Sequence, residues 1–193
     1  MGGDDKSLKL LAGKAMIARV IERLRPQVDA LVINANGDPV RFSSFSLPVA
    51  PDLDTGFAGP LAGVLAGMQW ARANMPQAGW IATAACDTPF FPEDFVTELR
   101  SAAEAGHARI ALAASGGRSH YVFALWPVDL AGDLASTLAQ GQRKVQDWIE
   151  RHAHVAVDFA PVTIGGAEVD PFFNANTLED FAAAEALLQK ERS

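Results

Sequence analysis

Asp87 follows a hydrophobic run over residues 80–85, so its carboxylate stands at the tip of a strand and not in a core. A hard oxygen ligand there suits Mg²⁺, which keeps waters and bridges substrate phosphates through one or two carboxylates. Lys6 follows Gly2-Gly3-Asp4-Asp5, where a flexible backbone can bring an ammonium to a phosphate and leave amides free to donate. Gly59-Pro60-Leu61-Ala62-Gly63 opens a helix, with Pro60 in its first turn and Gly59 allowing close ligand approach. Asn34 closes a second apolar run, 30–33, and Asp52 and Asp54 lie in the loop before the glycine-rich segment, where one of them can accept from a base or ribose. Asn174-Ala175-Asn176-Thr177 sets two carboxamides on the approach to a further helix. Together these residues suit a magnesium-dependent nucleotidyl transfer.

Each motif also has a plainer reading. Asp87 can cap the turn at Thr88, Lys6 can be a solvated charge on a frayed end, and Gly59 to Gly63 can be no more than a loop-to-helix junction. Thr177 with Glu179 and Asp180 makes a helix start without any ligand, and Asx turns accommodate Asn174 and Asn176. His120, beside Arg118, opens a strand and reads as structural; Cys86 reads as a packing residue, since no pattern places a histidine beside it.

These residues need a scaffold that brings them together. Helical and extended patterns alternate along the chain, which predicts an α/β fold with a mainly parallel central sheet and flanking helices, Rossmann-like in organisation. Met16, Ile17, Val20, Ile21 and Leu24 form one apolar helix face before Pro26; Leu61, Val64, Leu65 and Met68 form another. A third helix follows Pro92, with Glu93 and Asp94 in its first turn. Strands are expected at 30–33, 80–85, 108–114, 121–126 and 154–159, and helices at 130–138, at 145–149 and after Thr177, where Phe181, Leu187 and Leu188 face inward. Open α/β sheets bind ligands at the carboxyl ends of their strands, where Asn34 and Asp87 stand. No repeat or linker divides residues 1–193, which read as one domain.

With 49% hydrophobic and 20% charged residues, the chain of 193 can bury a substantial core. One cysteine excludes an intrachain disulfide, and no apolar run approaches the roughly 20 residues needed to span a bilayer. A cytoplasmic protein without a membrane partner is expected. A net charge of −7 opposes broad binding to a nucleic-acid backbone. A small anionic substrate remains compatible with it, neutralised locally by Lys6, Lys9, Arg118, Arg143 or Lys144.

Taken in order, the motifs resemble the molybdenum cofactor guanylyltransferase family, the MobA family, over essentially the whole chain. Met1-Gly2-Gly3-Asp4-Asp5-Lys6 is similar to the end of the family signature L-A-G-G-x-S-x-R-M-G-G-x-D-K; Val32-Ile33-Asn34-Ala35-Asn36, Gly59 to Gly63 and Cys86-Asp87-Thr88-Pro89 resemble internal blocks. Gly141-Gln142-Arg143-Lys144-Val145 and Phe173-Asn174-Ala175-Asn176-Thr177 resemble two later ones, with Leu178 where the family commonly has proline. The first strand and the L-A-G-G-x-S-x-R part of the signature have no counterpart, which leads us to expect that the sequence starts at an internal methionine of a longer natural protein.

The resemblance implies transfer of GMP from Mg-GTP to molybdenum-molybdopterin, giving the guanine dinucleotide cofactor and pyrophosphate, with hand-over to molybdenum-insertion and molybdoenzyme maturation proteins. On that analogy Lys6 and Asp87 are catalytic, Lys6, Asn34, Asp52 and Asp87 bind GTP, Asp87 binds Mg²⁺, and Arg143, Asn174 and Asn176 face the pterin. A cytidylyltransferase or other small-molecule nucleotidyltransferase, and a noncatalytic nucleotide- or pterin-binding protein, are the alternatives. The asparagines at 174 and 176 favour the guanylyl branch, since the cytidylyl relatives more often carry aspartates there.

Overall fold

The computed structural model describes residues 6–52 and 59–191; Gly2 to Asp5 of the first motif and Asp54 lie outside them. Its centre is a four-stranded sheet in the order β5 (Trp80–Thr83), β7 (Arg118–Pro127), β6 (Ile110–Ser115), β8 (His154–Asp158). β6 and β8 pair in parallel, while β7 pairs antiparallel with both β5 and β6, so three of the four strands share one direction and β7 is reversed. A separate parallel pair joins β3 (Ile33–Asn34) to β4 (Val49–Ala50).

Every residue of β6 is buried, as befits a strand covered on both faces. Its side chains alternate: Ala111 and Ala113 enter a core with Phe95, Leu99, Phe123 and Phe159, whereas Ile110 and Leu112 enter one with Leu65, Met68, Trp126 and Trp148. α1 (Met16–Leu24) and α3 (Phe95–Ala105) supply the first core; α2 (Pro60–Asn74), α4 (Ala131–Ala139) and α5 (Val145–Ile149) supply the second. No helix among the described residues is long and apolar enough to cross a membrane.

The expected helices form, but the third begins at Phe95, which puts Asp94 at its N-cap and Glu93 before it instead of in its first turn, where Glu98 stands. The strands differ mainly at their ends: the run at 30–33 pairs only over Ile33–Asn34, and β7 extends three residues earlier than expected, to Arg118. Its early start follows from the turn Ser115-Gly116-Gly117-Arg118, where both glycines have positive φ (54° and 76°), the geometry of a tight two-residue hairpin. Two small hairpins were not anticipated, β1 (Leu10–Leu11) with β2 (Lys14–Ala15), and β9 (Val162–Ile164) with β10 (Ala167–Val169). The last helix, α6 (Leu178–Glu191), packs Leu188 inward with Phe181 and Leu187 half-covered. Thr177 caps its start: Asp180 N donates to Thr177 Oγ1 (3.0 Å) and Thr177 N donates to Asp180 Oδ2 (2.9 Å). Donation from the Thr177 amide holds the Asp180 carboxyl below its ordinary value.

Asp133 anchors the α4–α5 corner. Its Oδ2 accepts from Nε1 of the fully buried Trp148 at 2.7 Å and lies 3.1 Å from Arg151 Nη2. The indole hydrogen bond, with Arg151 and His152 nearby, holds the Asp133 carboxyl below its usual range against desolvation. Its side chain is 41% exposed, so the ion pair contributes little and the buried indole sets the magnitude. Asp133→Ala strands the indole N–H and is expected to destabilise the fold by about 1–3 kcal/mol in urea unfolding at neutral pH. Because the folded-state pKa is depressed, the aspartate's charge-linked contribution is present at neutral pH and lost as pH falls through that lowered value; the gap between the two proteins should therefore narrow in acid.

Candidate nucleotidyl-transfer site

A cavity of about 670 Å³ lies between β3 and β5, beneath α2. Its throat is apolar, with Ile33, Val64, Ile81 and Val96 among its walls, and its mouth carries Asn34, Asn36, Asp52 and Asp87. The size is that of a small-ligand site with a few convergent polar groups. Asn34 ends β3, and Asp87 stands four residues beyond the end of β5, so both acts of positioning come from strands running into loops.

The β3 lip is an interlocked corner. Asn34 Nδ2 donates to Ala50 O (3.0 Å) and to Asp52 Oδ1 (3.0 Å); Asn36 Nδ2 donates to Asp52 Oδ2 (2.8 Å), and Asp52 N donates back to Asn36 Oδ1 (2.8 Å). Arg41 fixes the same turn by donating to Asn36 O and Asp38 O, each at 2.6 Å. A carboxylate offers about four lone-pair sites, so Asp52 keeps acceptor capacity for ligand N–H or O–H groups after two such bonds. Gly63 in α2 closes the corner from below: a Cβ there would run into Asn34 Oδ1 and approach Asp52.

Across the mouth, the half-buried Asp87 has no hydrogen-bond or ion-pair partner for its carboxylate among the described residues, while its backbone oxygen accepts from Ala175 N at 3.1 Å. That bond ties the asparagine segment to the loop after β5. Lys6, exposed, donates from Nζ to Asn176 O at 3.2 Å, and the two share a smaller hollow of about 340 Å³ with Lys9 and Phe181. Asn174 is half-buried, and its Oδ1 is sequestered without a hydrogen-bond partner among the described residues, as is Thr88 Oγ1.

The structure thus brings Asn34, Asp52 and Asp87 to one cavity, and Lys6 and Asn176 to a neighbouring hollow joined to it through residues 174–176. Of the residues expected on the pterin side, only Asn176 lines a hollow: Arg143 is exposed in the loop before α5 and Asn174 is half-buried, and neither lines either hollow. Cys86, expected to pack, is exposed: the β5 ladder ends at Thr83, which leaves residues 84–87 as a loop at the cavity wall. Asn36 and Arg41 were not singled out in the sequence, although Asn34-Ala35-Asn36 places a second carboxamide two residues on.

The family model described as the MobA-like NTP transferase domain matches residues 1–155. The chain belongs to the MobA-like family. Family relatives include proteins named molybdenum cofactor guanylyltransferase from Rhodopseudomonas palustris (strain BisB5), 50% identical over 192 residues covering 99% of this chain and 89% of that one, and from Mesorhizobium japonicum, 47% identical with coverage of 100% and 92%. The MobA-like fold is shared with a solved structure titled molybdopterin-guanine dinucleotide biosynthesis protein A from Archaeoglobus fulgidus, at TM-score 0.72 and 24% identity, covering 97% of this chain and 92% of that one. It is shared also with a CMP:2-keto-3-deoxy-manno-octonic acid synthetase solved with CTP, at TM-score 0.71 and 13% identity, covering 96% and 92%. Nucleotidyltransferases are therefore its structural neighbours.

Within this frame Lys6 is one of two exposed lysines, with Lys9, in the hollow beside the asparagine segment, and the one that reaches Asn176 O. On the phosphate-binding role expected for Lys6, losing one charge-assisted contact of about 1.5–3 kcal/mol predicts that Lys6→Ala raises the KM for the nucleotide roughly tenfold or more, measured by initial rates against nucleotide concentration.

Proposed function

We infer that this protein transfers GMP from GTP to the terminal phosphate of molybdenum-molybdopterin, releasing pyrophosphate and forming the guanine dinucleotide cofactor, and that residues 1–193 act as one nucleotidyltransferase domain. The observation that carries this reading is the cavity with a fixed Asn34–Asp52–Asn36 corner on one lip and, on the other, an Asp87 carboxylate without a partner among the described residues, in a chain half identical to a named guanylyltransferase over nearly its full length.

The corner accepts the nucleoside's donor groups, and its rigidity fixes the nucleotide's orientation before reaction. Asp87 then faces the phosphates. The donor set fits Mg²⁺: Asp87 offers one hard oxygen carboxylate, and among the described residues no three His, Cys, Asp or Glu side chains gather into a closed metal cage. Such a site suits an ion that shares its shell with phosphate oxygens and water. When bound, Mg²⁺ supplies charge neutralisation and alignment of the phosphates. Lys6 adds positive charge beside the departing pyrophosphate, and Asn174 and Asn176, held against Asp87 by the Ala175 amide, orient the acceptor. The acceptor phosphate oxygen forms the new bond to the α-phosphorus as the bond to the pyrophosphate oxygen breaks, with no covalent enzyme intermediate. Arg143 is assigned to the pterin side by its motif alone and requires the acceptor to reach beyond both hollows.

Incubation with GTP, Mg²⁺ and molybdenum-loaded molybdopterin should yield the guanine dinucleotide, detected by mass spectrometry. Tight binding of Mg-GTP with no dinucleotide formed would replace this reading with that of a noncatalytic binding protein.

A further inference from the structure

One polar cluster outside the nucleotide corner, running from the buried Ser115 to the exposed Asp170, connects to the asparagine segment. Ser115, at the end of β6 and 6% exposed, donates from Oγ to Asp170 Oδ1 at 2.8 Å and lies 2.7 Å from His120 Nε2. A hydroxyl has one proton; with that proton on Asp170, Ser115 Oγ accepts from His120 Nε2–H. His120 reaches this place because the β6–β7 register jumps: Leu112 faces Ala124 but Ala113 faces His120, the intervening residues of β7 forming a bulge. Burial keeps the imidazole below its ordinary pKa, against the pull of Asp170 and with Arg118 lowering it further, which favours the neutral ring at physiological pH.

Asp170 then starts the asparagine segment. Its Oδ1 also accepts from Phe172 N (2.9 Å), its backbone oxygen accepts from Phe173 N (2.9 Å), and Phe172 packs on the His120 ring at 4.6 Å. Three residues on, Ala175 N reaches Asp87 O. A continuous chain of contacts thus runs from the β6–β7 hairpin to the loop that presents Asn174 and Asn176.

We propose that Ser115, together with His120 and Asp170, is a positioning residue for the acceptor side of the reaction: the cluster sets the loop 170–177 against Asp87 and leaves the nucleotide corner untouched. This rests on the guanylyl-transfer reading for its kinetic consequence, but the loop geometry can be read without turnover.

The test uses Ser115→Ala, Asp170→Ala and the double variant of the full chain. Each single change should raise the KM for molybdenum-molybdopterin about tenfold, leave the KM for GTP within about twofold, and give a double variant no worse than either single, since both break one link. Hydrogen exchange at the Ala175 amide should quicken about tenfold while that of Leu112 in the sheet stays unchanged. Unchanged Ala175 exchange, a GTP KM that rises in step with the acceptor KM, or single effects that multiply would each overturn the proposal. If Ser115→Ala does not fold, Asp170→Ala, at an exposed position, carries the same readouts. A wild-type protein that forms no dinucleotide defeats the guanylyl-transfer reading alone, because the exchange measurement still decides the loop claim.

Discussion

Asp87→Ala is expected to lower kcat by at least about a hundredfold and to leave the folded structure intact. Preorganised electrostatic groups aimed at a reacting centre typically account for two to three powers of ten each, and Asp87 has the geometry for such a role: a half-buried carboxylate, at the mouth of the cavity, without a partner among the described residues. Its contribution to the fold comes through the main chain, where its carbonyl accepts from Ala175, and that bond survives truncation of the side chain. Stability and activity should therefore separate. Thermal unfolding of the variant within a degree or two of the wild type, with turnover nearly abolished, is the expected pair of results; Asp87→Ala at full activity would remove the metal role assigned to the residue.

Gly63→Ala should act on the opposite lip, by a different route. In an ordinary helix this change gains about 0.5–1 kcal/mol, because alanine is the better helix former. Here the added methyl enters the space of Asn34 Oδ1, and Asn34 cannot simply swing away, since its amide is held by both Ala50 and Asp52. Displacing it breaks the corner that orients the nucleotide. The predicted outcome is a protein close to wild-type stability, the helix gain offsetting the lost corner bonds, with the Kd for GTP raised roughly ten- to a hundredfold, equivalent to losing one or two hydrogen bonds of about 1.4 kcal/mol each. Calorimetric titration of GTP into the variant measures this without the acceptor. Wild-type affinity would mean that the corner does not touch the nucleotide.

The legible parts of the molecule were those encoded locally. Apolar periodicity located the face of α1 containing Met16, Ile17 and Val20, and the hydrophobic run before Asp87 located β5, although the strand ends at Thr83 and leaves Asp87 in the loop that follows instead of at its tip. Thr177 and Asp180 announced their own cap, three residues apart. What escaped depends on partners distant in sequence. Nothing near Asn36 shows that it will lock Asp52, 16 residues away, and nothing near Ser115 announces Asp170, 55 residues on. The reversed strand β7 was readable as a strand, but its place between β5 and β6 is decided by sheet packing and not by its own pattern. The β9–β10 hairpin carries a local signal, Gly165-Gly166 with φ of 55° and 79° between short extended runs, but each run is only three residues long, too short for an alternating pattern to register. Cys86 misled for the converse reason: a cysteine after an apolar run usually packs, yet here the ladder stops three residues earlier.

The central claim is guanylyl transfer to molybdopterin, and the choice of nucleotide tests it most directly. Pyrophosphate release should be compared with GTP and with CTP as donor, under Mg²⁺ and with molybdenum-loaded molybdopterin as acceptor. Acceptor-dependent release with GTP, and little with CTP, is the predicted result; a preference for CTP would contradict the assignment and move the protein to the cytidylyl branch of the same fold.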